Sequence, residues 1–181
     1  MPIISGSGSS AASGRVVLFD STLGANAASI DTGATGVAAG YNAISIYLIG
    51  RTTIASVDGG IFIRVNGDSG ANYDQAFVGL DAGTTTSGTA LAQTQWSLDF
   101  AGASMDANAA SIISIVILSY DQTTFHKEGT ILESGSSGTA GNNWQLTASC
   151  RWRNTAAISR VQALPSSGNL LAGTRLLVLG G

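Results

Sequence analysis

The stretch "WQLTASCRWR", residues 144–153, alternates without a break. Trp144, Leu146, Ala148, Cys150 and Trp152 fall on one side, and Gln145, Thr147, Ser149, Arg151 and Arg153 on the other. Side chains of an extended chain point to opposite faces in turn, so this stretch has one greasy face and one wet face. A helix would scatter the same residues around its circumference. The stretch is therefore a half-buried antiparallel strand.

The same period runs through "AISIYLIGR" (43–51), where Ile44, Ile46 and Leu48 share a face, and "IFIRVN" (61–66), where Ile61, Ile63 and Val65 do. "SIISIVILSY" (111–120) is apolar on both faces and rich in β-branched residues, which places it at the centre of a sheet. Further strands are expected near 15–20, 75–81, 91–99, 124–133, 157–164 and 174–179. Turn clusters separate them: "VDGG", "NGDSGAN", "DAGTTTSG" and "SGSSGTAGNN". The segment 101–111 reads as a loop or a short helical turn. Pro2 and Pro165 stand outside strand interiors. Many short strands joined by Gly-rich turns make an all-β protein, an antiparallel β-sandwich or jelly roll.

The 181 residues suit one domain and suffice for a full core. Residues 5–14 are nearly all Gly, Ser and Ala, so 1–14 is expected to be an N-terminal arm and 15–181 the sandwich. With only Ile3 and Ile4 as sizeable apolar groups, the arm needs a neighbour to hold it.

Charged residues make up only 10% of the chain, against roughly 25% in ordinary soluble domains. Such a monomer would keep itself in solution poorly, so copies of itself or partners are expected to cover part of its surface. The net charge is −3, and the basic residues are scattered, with only Arg151 and Arg153 close together. Without a basic stripe to neutralise phosphates, nucleic acid is excluded as a partner. The longest greasy run, Ile112 to Leu118, is far shorter than the roughly 20 residues that span a bilayer as a helix. No membrane is expected, and the N-terminus lacks the basic start and apolar core of a secretory signal. The single cysteine, Cys150, cannot form an intrachain disulfide, and it is expected to be a buried, inert thiol.

One string invites chemistry. Gly67-Asp68-Ser69-Gly70 is the tetrapeptide around the nucleophile of chymotrypsin-like proteases, and Asn66, Asp68, Asn72 and Asp74 are spaced like calcium ligands. A serine nucleophile needs an imidazole, and His126, the only histidine, follows the serine instead of preceding it. For calcium, the loop 66–74 lacks the correctly placed glycine and the closing bidentate glutamate of an EF-hand. Asn-Gly after an alternating strand is a strong hairpin signal, so the loop is expected to be a hairpin turn, with a bound cation as the alternative. His126 has no second histidine or neighbouring cysteine for a metal site and reads as a polar strand residue. Trp96, Trp144 and Trp152 could stack on sugars, but Trp144 and Trp152 alternate with aliphatics and read as core. No catalytic, cofactor-binding or metal residues are assigned, and the chain is expected not to be an enzyme.

Several strings together carry a resemblance: "LFDSTLGANAASIDTG" (18–33), "IGRTT" (49–53), "IRVNGDSGANYD" (63–74), "TTFHK" (123–127) and "WRNTAAISRVQALPSSGNLLAGTRLLVLG" (152–180). They are similar to a family of small structural proteins of tailed bacteriophages, the head-decoration and tail-appendage type of jelly-roll domain. The resemblance implies a virion protein assembled in the host cytoplasm, a homo-oligomer, trimeric by the habit of such proteins. Its other partners would be the major capsid protein or a tail protein. Two roles are open: a capsid accessory, that is a decoration or cement protein, or a tail-fibre or tail-tip component touching host glycans.

Overall fold

The computed structural model describes residues 14–136 and 143–181. Nearly all of the expected arm, 1–13, lies outside the described residues. Twelve strands follow one another, with no helix among the described residues. They are β1 (Val16–Thr22), β2 (Ile30–Asp31), β3 (Ala43–Gly50), β4 (Asp58–Val65), β5 (Tyr73–Asp81) and β6 (Thr84–Gln93). The rest are β7 (Trp96–Ala101), β8 (Ser111–Leu118), β9 (Lys127–Ser136), β10 (Asn143–Trp152), β11 (Val161–Pro165) and β12 (Arg175–Gly180).

They form an antiparallel sandwich of two unequal sheets. The larger runs β1-β12-β3-β8-β9-β10-β5-β6, and the smaller β2-β11-β4-β7. Alternation explains which side of each strand faces the core. Ile44, Ile46 and Leu48 of β3, Ile113, Ile115 and Ile117 of β8, and Leu176 and Val178 of β12 point inward from the large sheet. Ile61, Ile63 and Val65 of β4, Trp96, Leu98 and Phe100 of β7, and Val161 of β11 meet them from the small one. Each such side chain contributes about 1.5–3 kcal/mol by leaving water. In β10 the apolar face holds as expected: Trp144, Ala148, Cys150 and Trp152 are buried and Leu146 is half-buried. Burial pushes the Cys150 thiol up to about 12, which keeps it protonated and inert.

Five local expectations are corrected, the first being "VDGG", which is not a turn cluster because Asp58, Gly59 and Gly60 pair with β7 as the start of β4. The stretch 91–99 is not one strand: β6 ends at Gln93 and β7 begins at Trp96, in the other sheet. Ala92 makes the break, with φ +55° and its N–H held 2.8 Å from Asp74 Oδ1. "DAGTTTSG" is mostly strand, because only Ala82 and Gly83, at φ +48° and +79°, turn the chain between β5 and β6. β11 starts later than expected, at Val161, since 154–160 is a loop. Finally, Asn66-Gly67 is a turn but not a hairpin. It joins β4 of the small sheet to β5 of the large one.

β8 is fourth of eight strands, central as its sequence implies. Its second apolar face, however, is not covered by the other described residues: Ile112 is 42% exposed and Leu118 65%.

Candidate functional site

The 66–74 loop is built as a structural joint. Asn66 and Gly67 adopt φ +54° and +68°, the left-handed region that Asn and Gly tolerate, and the Asp68 amide closes the turn on Val65 O at 3.0 Å. Of the four residues spaced like calcium ligands, Asn66, Asp68 and Asp74 accept N–H donors with their side-chain oxygens, and Asn72 donates its amide. Asn66 Oδ1 takes the Ser159 and Arg160 amides at 2.9 and 3.1 Å, anchoring the loop before β11. Asp68 accepts the Gly70 amide at 2.7 Å, Asn72 Nδ2 at 2.9 Å and the buried Trp152 indole N–H at 2.7 Å. These donors hold the Asp68 carboxyl below its ordinary value even though burial, the largest influence, pushes it up. Asp74 accepts the Ala92 amide and Arg151 Nε at 2.9 Å, and Arg153 Nε stands 3.5 Å away. Ser69 is exposed, and His126 is exposed in the loop before β9, off the strand where it was expected. Nothing brings the two together as a nucleophile and base.

A second cluster lies along β7, an edge strand of the small sheet. An unpaired edge leaves every second N–H without a partner. Three inward side chains of the large sheet supply acceptors. Gln75 Oε1 accepts the Ser97 amide at 3.1 Å while Gln75 Nε2 donates to Ser97 O at 2.9 Å. Glu133 Oε2 accepts the Asp99 amide at 3.2 Å, and Ser111 Oγ the Ala101 amide at 2.8 Å. All three side chains are buried, Glu133 to 1% exposure. Burial, and then the charge of Asp99, lift the Glu133 carboxyl to about 8, so it is chiefly neutral at pH 7. Asp99 is itself raised, first by burial and then by Asp58 and Asp81.

Beside β7 a groove of about 390 Å³ opens between outward residues of the small sheet, such as Phe62 and Asp99, and the overhanging β5, β6 and β10. Phe77, Trp144 and Leu146 wall it and Glu133 borders it. Aromatic walls with a neutral carboxyl and nearby carboxylates can hold a small hydroxyl-rich group. Among the described residues, no cluster of His, Cys, Asp and Glu has the arrangement of a metal site.

The most extensive feature is the outer face of the large sheet. Across it, register aligns Tyr47, Ser114, Leu132, Thr147, Val78 and Ser87 in one row. Beside that row run Ile49, Ile112, Ser134, Gln145, Leu80 and Thr85, and on its other side Ser45, Val116, Thr130, Ser149, Ala76 and Thr89. None of these positions is charged, and Ile112, Leu132, Val78 and Leu80 are 42 to 55% exposed.

Sequence reasoning missed Glu133 and Lys127, though the phase of β9 carries the signal. Both share parity with inward-facing Ile131. Lys127 is 2% exposed and donates to the carbonyls of Gln122, Phe125 and Thr155, which ties the 120s loop to the end of β10; burial lowers its pKa.

No family model, curated protein or solved structure matches this chain.

Proposed function

We propose that this chain is a non-enzymatic structural subunit of a tailed-phage virion, a homo-oligomer on the particle exterior that serves as a capsid decoration or cement protein. The observation that carries this reading is the uncharged central part of the large sheet's outer face, three rows across six strands. It is bordered by the Asp20–Arg175 pair on one side and by Glu128, Arg151 and Asp74 at one end. The three rows give a projected area of roughly 600 Å², in which eight of the 18 side chains are apolar and ten are uncharged polar groups. A patch of aliphatic and uncharged polar side chains with charge only at its border matches a surface that is covered in an assembly. The particle is named by the sequence resemblance alone. Counting copies per particle by quantitative gel or particle imaging tests the role. Copies in the number of head subunits support decoration, and their absence from purified particles overturns it.

The groove beside β7 favours a second reading, a tail-fibre or tail-tip component that touches host glycans. Phe77 and Trp144 beside the neutral Glu133 carboxyl form the kind of wall on which a sugar stacks and hydrogen-bonds. A handful of copies per particle, together with quenching of tryptophan fluorescence by host-surface glycans, would favour this role.

A further inference from the structure

A sandwich of two open sheets has four edges, and three of them here are blunted. β2 is two residues long. β7 has its free amides occupied by Gln75, Glu133 and Ser111. β1 is interrupted by a bulge between Val17 and Phe19 and carries the Asp20–Arg175 ion pair. Short length, covered amides, bulges and charge are the usual devices that stop edges from pairing with other chains.

The fourth edge, β6, has none of them along its central length. It runs ten residues, TTTSGTALAQ, with no charge and no proline. From Thr84 to Ala90 its pairing with β5 is unbroken. The two-residue turn Ala82-Gly83 makes Asp81 and Thr84 a mutually hydrogen-bonded pair, and such pairs then alternate along the hairpin. Thr85, Ser87 and Thr89 therefore aim their N–H and C=O groups away from β5. Among the described residues nothing pairs with them, since β6 has β5 as its single strand neighbour.

We infer that β6 is an interaction edge at which a second copy of this chain adds its own β6, antiparallel across a two-fold axis, to make one continuous sheet. An isologous contact requires a strand to be its own complement. This one is: Thr and Ser side chains oppose Thr and Ser, a favourable cross-strand pairing, and no like charges meet. Centred on Ser87, Thr85 faces Thr89 of the second copy, and about six backbone hydrogen bonds form. The uncharged outer rows end at Thr85, Ser87 and Thr89, so the contact also continues that face from one copy to the next. A trimer of the kind expected from the sequence would be joined two by two. This inference goes beyond the particle role and stands on the purified protein.

The test uses the full chain with Thr85, Ser87 or Thr89 changed singly to Cys. Facing Cα atoms in such a pair lie about 5.5 Å apart, within disulfide reach. Cys150 is buried and gives no background. One of the three variants is expected to form a covalent dimer on oxidation. Ser87→Lys, which sets two like charges across the axis, is expected to weaken association about tenfold or more, while the melting temperature measured at concentrations low enough to dissociate both proteins stays unchanged. Ser87→Pro, which removes one outward amide, should act in the same direction. The inference is overturned if no variant cross-links, or if sedimentation finds only a monomer or an odd-numbered species. It is also overturned if removal of residues 1–13, and not Ser87→Lys, abolishes association, because the edge would then hold an arm. A chain abundant on particles that fails to cross-link would keep the particle role and lose this edge.

Discussion

The indole of Trp144 lies on the bare backbone of Gly135, its direct cross-strand partner: a Cβ there would stand 2.1 Å from Trp144 Cζ2. Phe77 covers Gly88 in the same way, at 2.7 Å from Cζ. Both rings wall the groove beside β7, so the glycines set where the aromatic surfaces lie. Gly135→Ala is expected to cost about 1–3 kcal/mol, since the ring must tilt or the strands part. Trp144→Ala and Trp152→Ala are each expected to cost about 3–5 kcal/mol, the loss from deleting a large buried aromatic. Urea denaturation monitored by circular dichroism checks all three. An unchanged midpoint for Trp144→Ala would make that indole a surface platform.

In the tetrapeptide that resembles a protease signature, the aspartate matters and the serine does not. Asp68→Ala removes the acceptor of the Trp152 indole N–H and leaves that buried donor unsatisfied, at a cost of about 1–3 kcal/mol. Ser69→Ala, on the exposed side of the loop, is expected to change stability by less than about 0.5 kcal/mol. Equal effects of the two changes would contradict this account of the joint.

How legible these features were depended on whether a local pattern or a distant partner decides the outcome. The inward faces of β3, β4 and β10 were readable because burial on one side enforces strict alternation. β6 was hidden, because Thr, Ser and Gly are also turn formers. What makes "TTTSG" a strand is its ladder with β5, which no window of the sequence contains. The Asn66-Gly67 turn was readable as a turn, but its partners were not: whether two strands share a sheet is settled by long-range pairing. Glu133 and Gln75 were invisible as a pair, since their role is to receive amides from a strand tens of residues away.

Ala82 is the weak point of the β5–β6 hairpin. At φ +48° its Cβ is in a region that L-residues avoid, and turns of this kind prefer Asn followed by Gly. Ala82→Asn keeps Gly83 and is expected to stabilise the protein by about 0.5–1 kcal/mol. If the variant were less stable in thermal unfolding, the turn would be held by something other than its backbone preference.

Glu133 gives stability a particular dependence on pH. Its folded value, about 8, lies above the ordinary 4.5, so between these two values the native state keeps a proton that the unfolded chain has released. Where the native state binds more protons, stability falls as pH rises. The contribution is full below about 4.5, declines through the window, and is gone above about 8. Asp99, raised for similar reasons, acts in the same direction. Asp31, Asp68 and Asp74 are lowered from 3.8 and work oppositely, but their contribution is lost only as the solution becomes more acid than that value. The native state is therefore expected to be most stable near pH 4–5 and to weaken steadily toward pH 8. Glu133→Gln keeps a carbonyl to accept the Asp99 amide and cannot ionise. It should match the wild type at pH 5, exceed it at pH 8, and show a shallower slope between. Melting temperatures at these two pH values decide the matter, and parallel slopes for the two proteins would mean that Glu133 ionises in the native state like an ordinary glutamate.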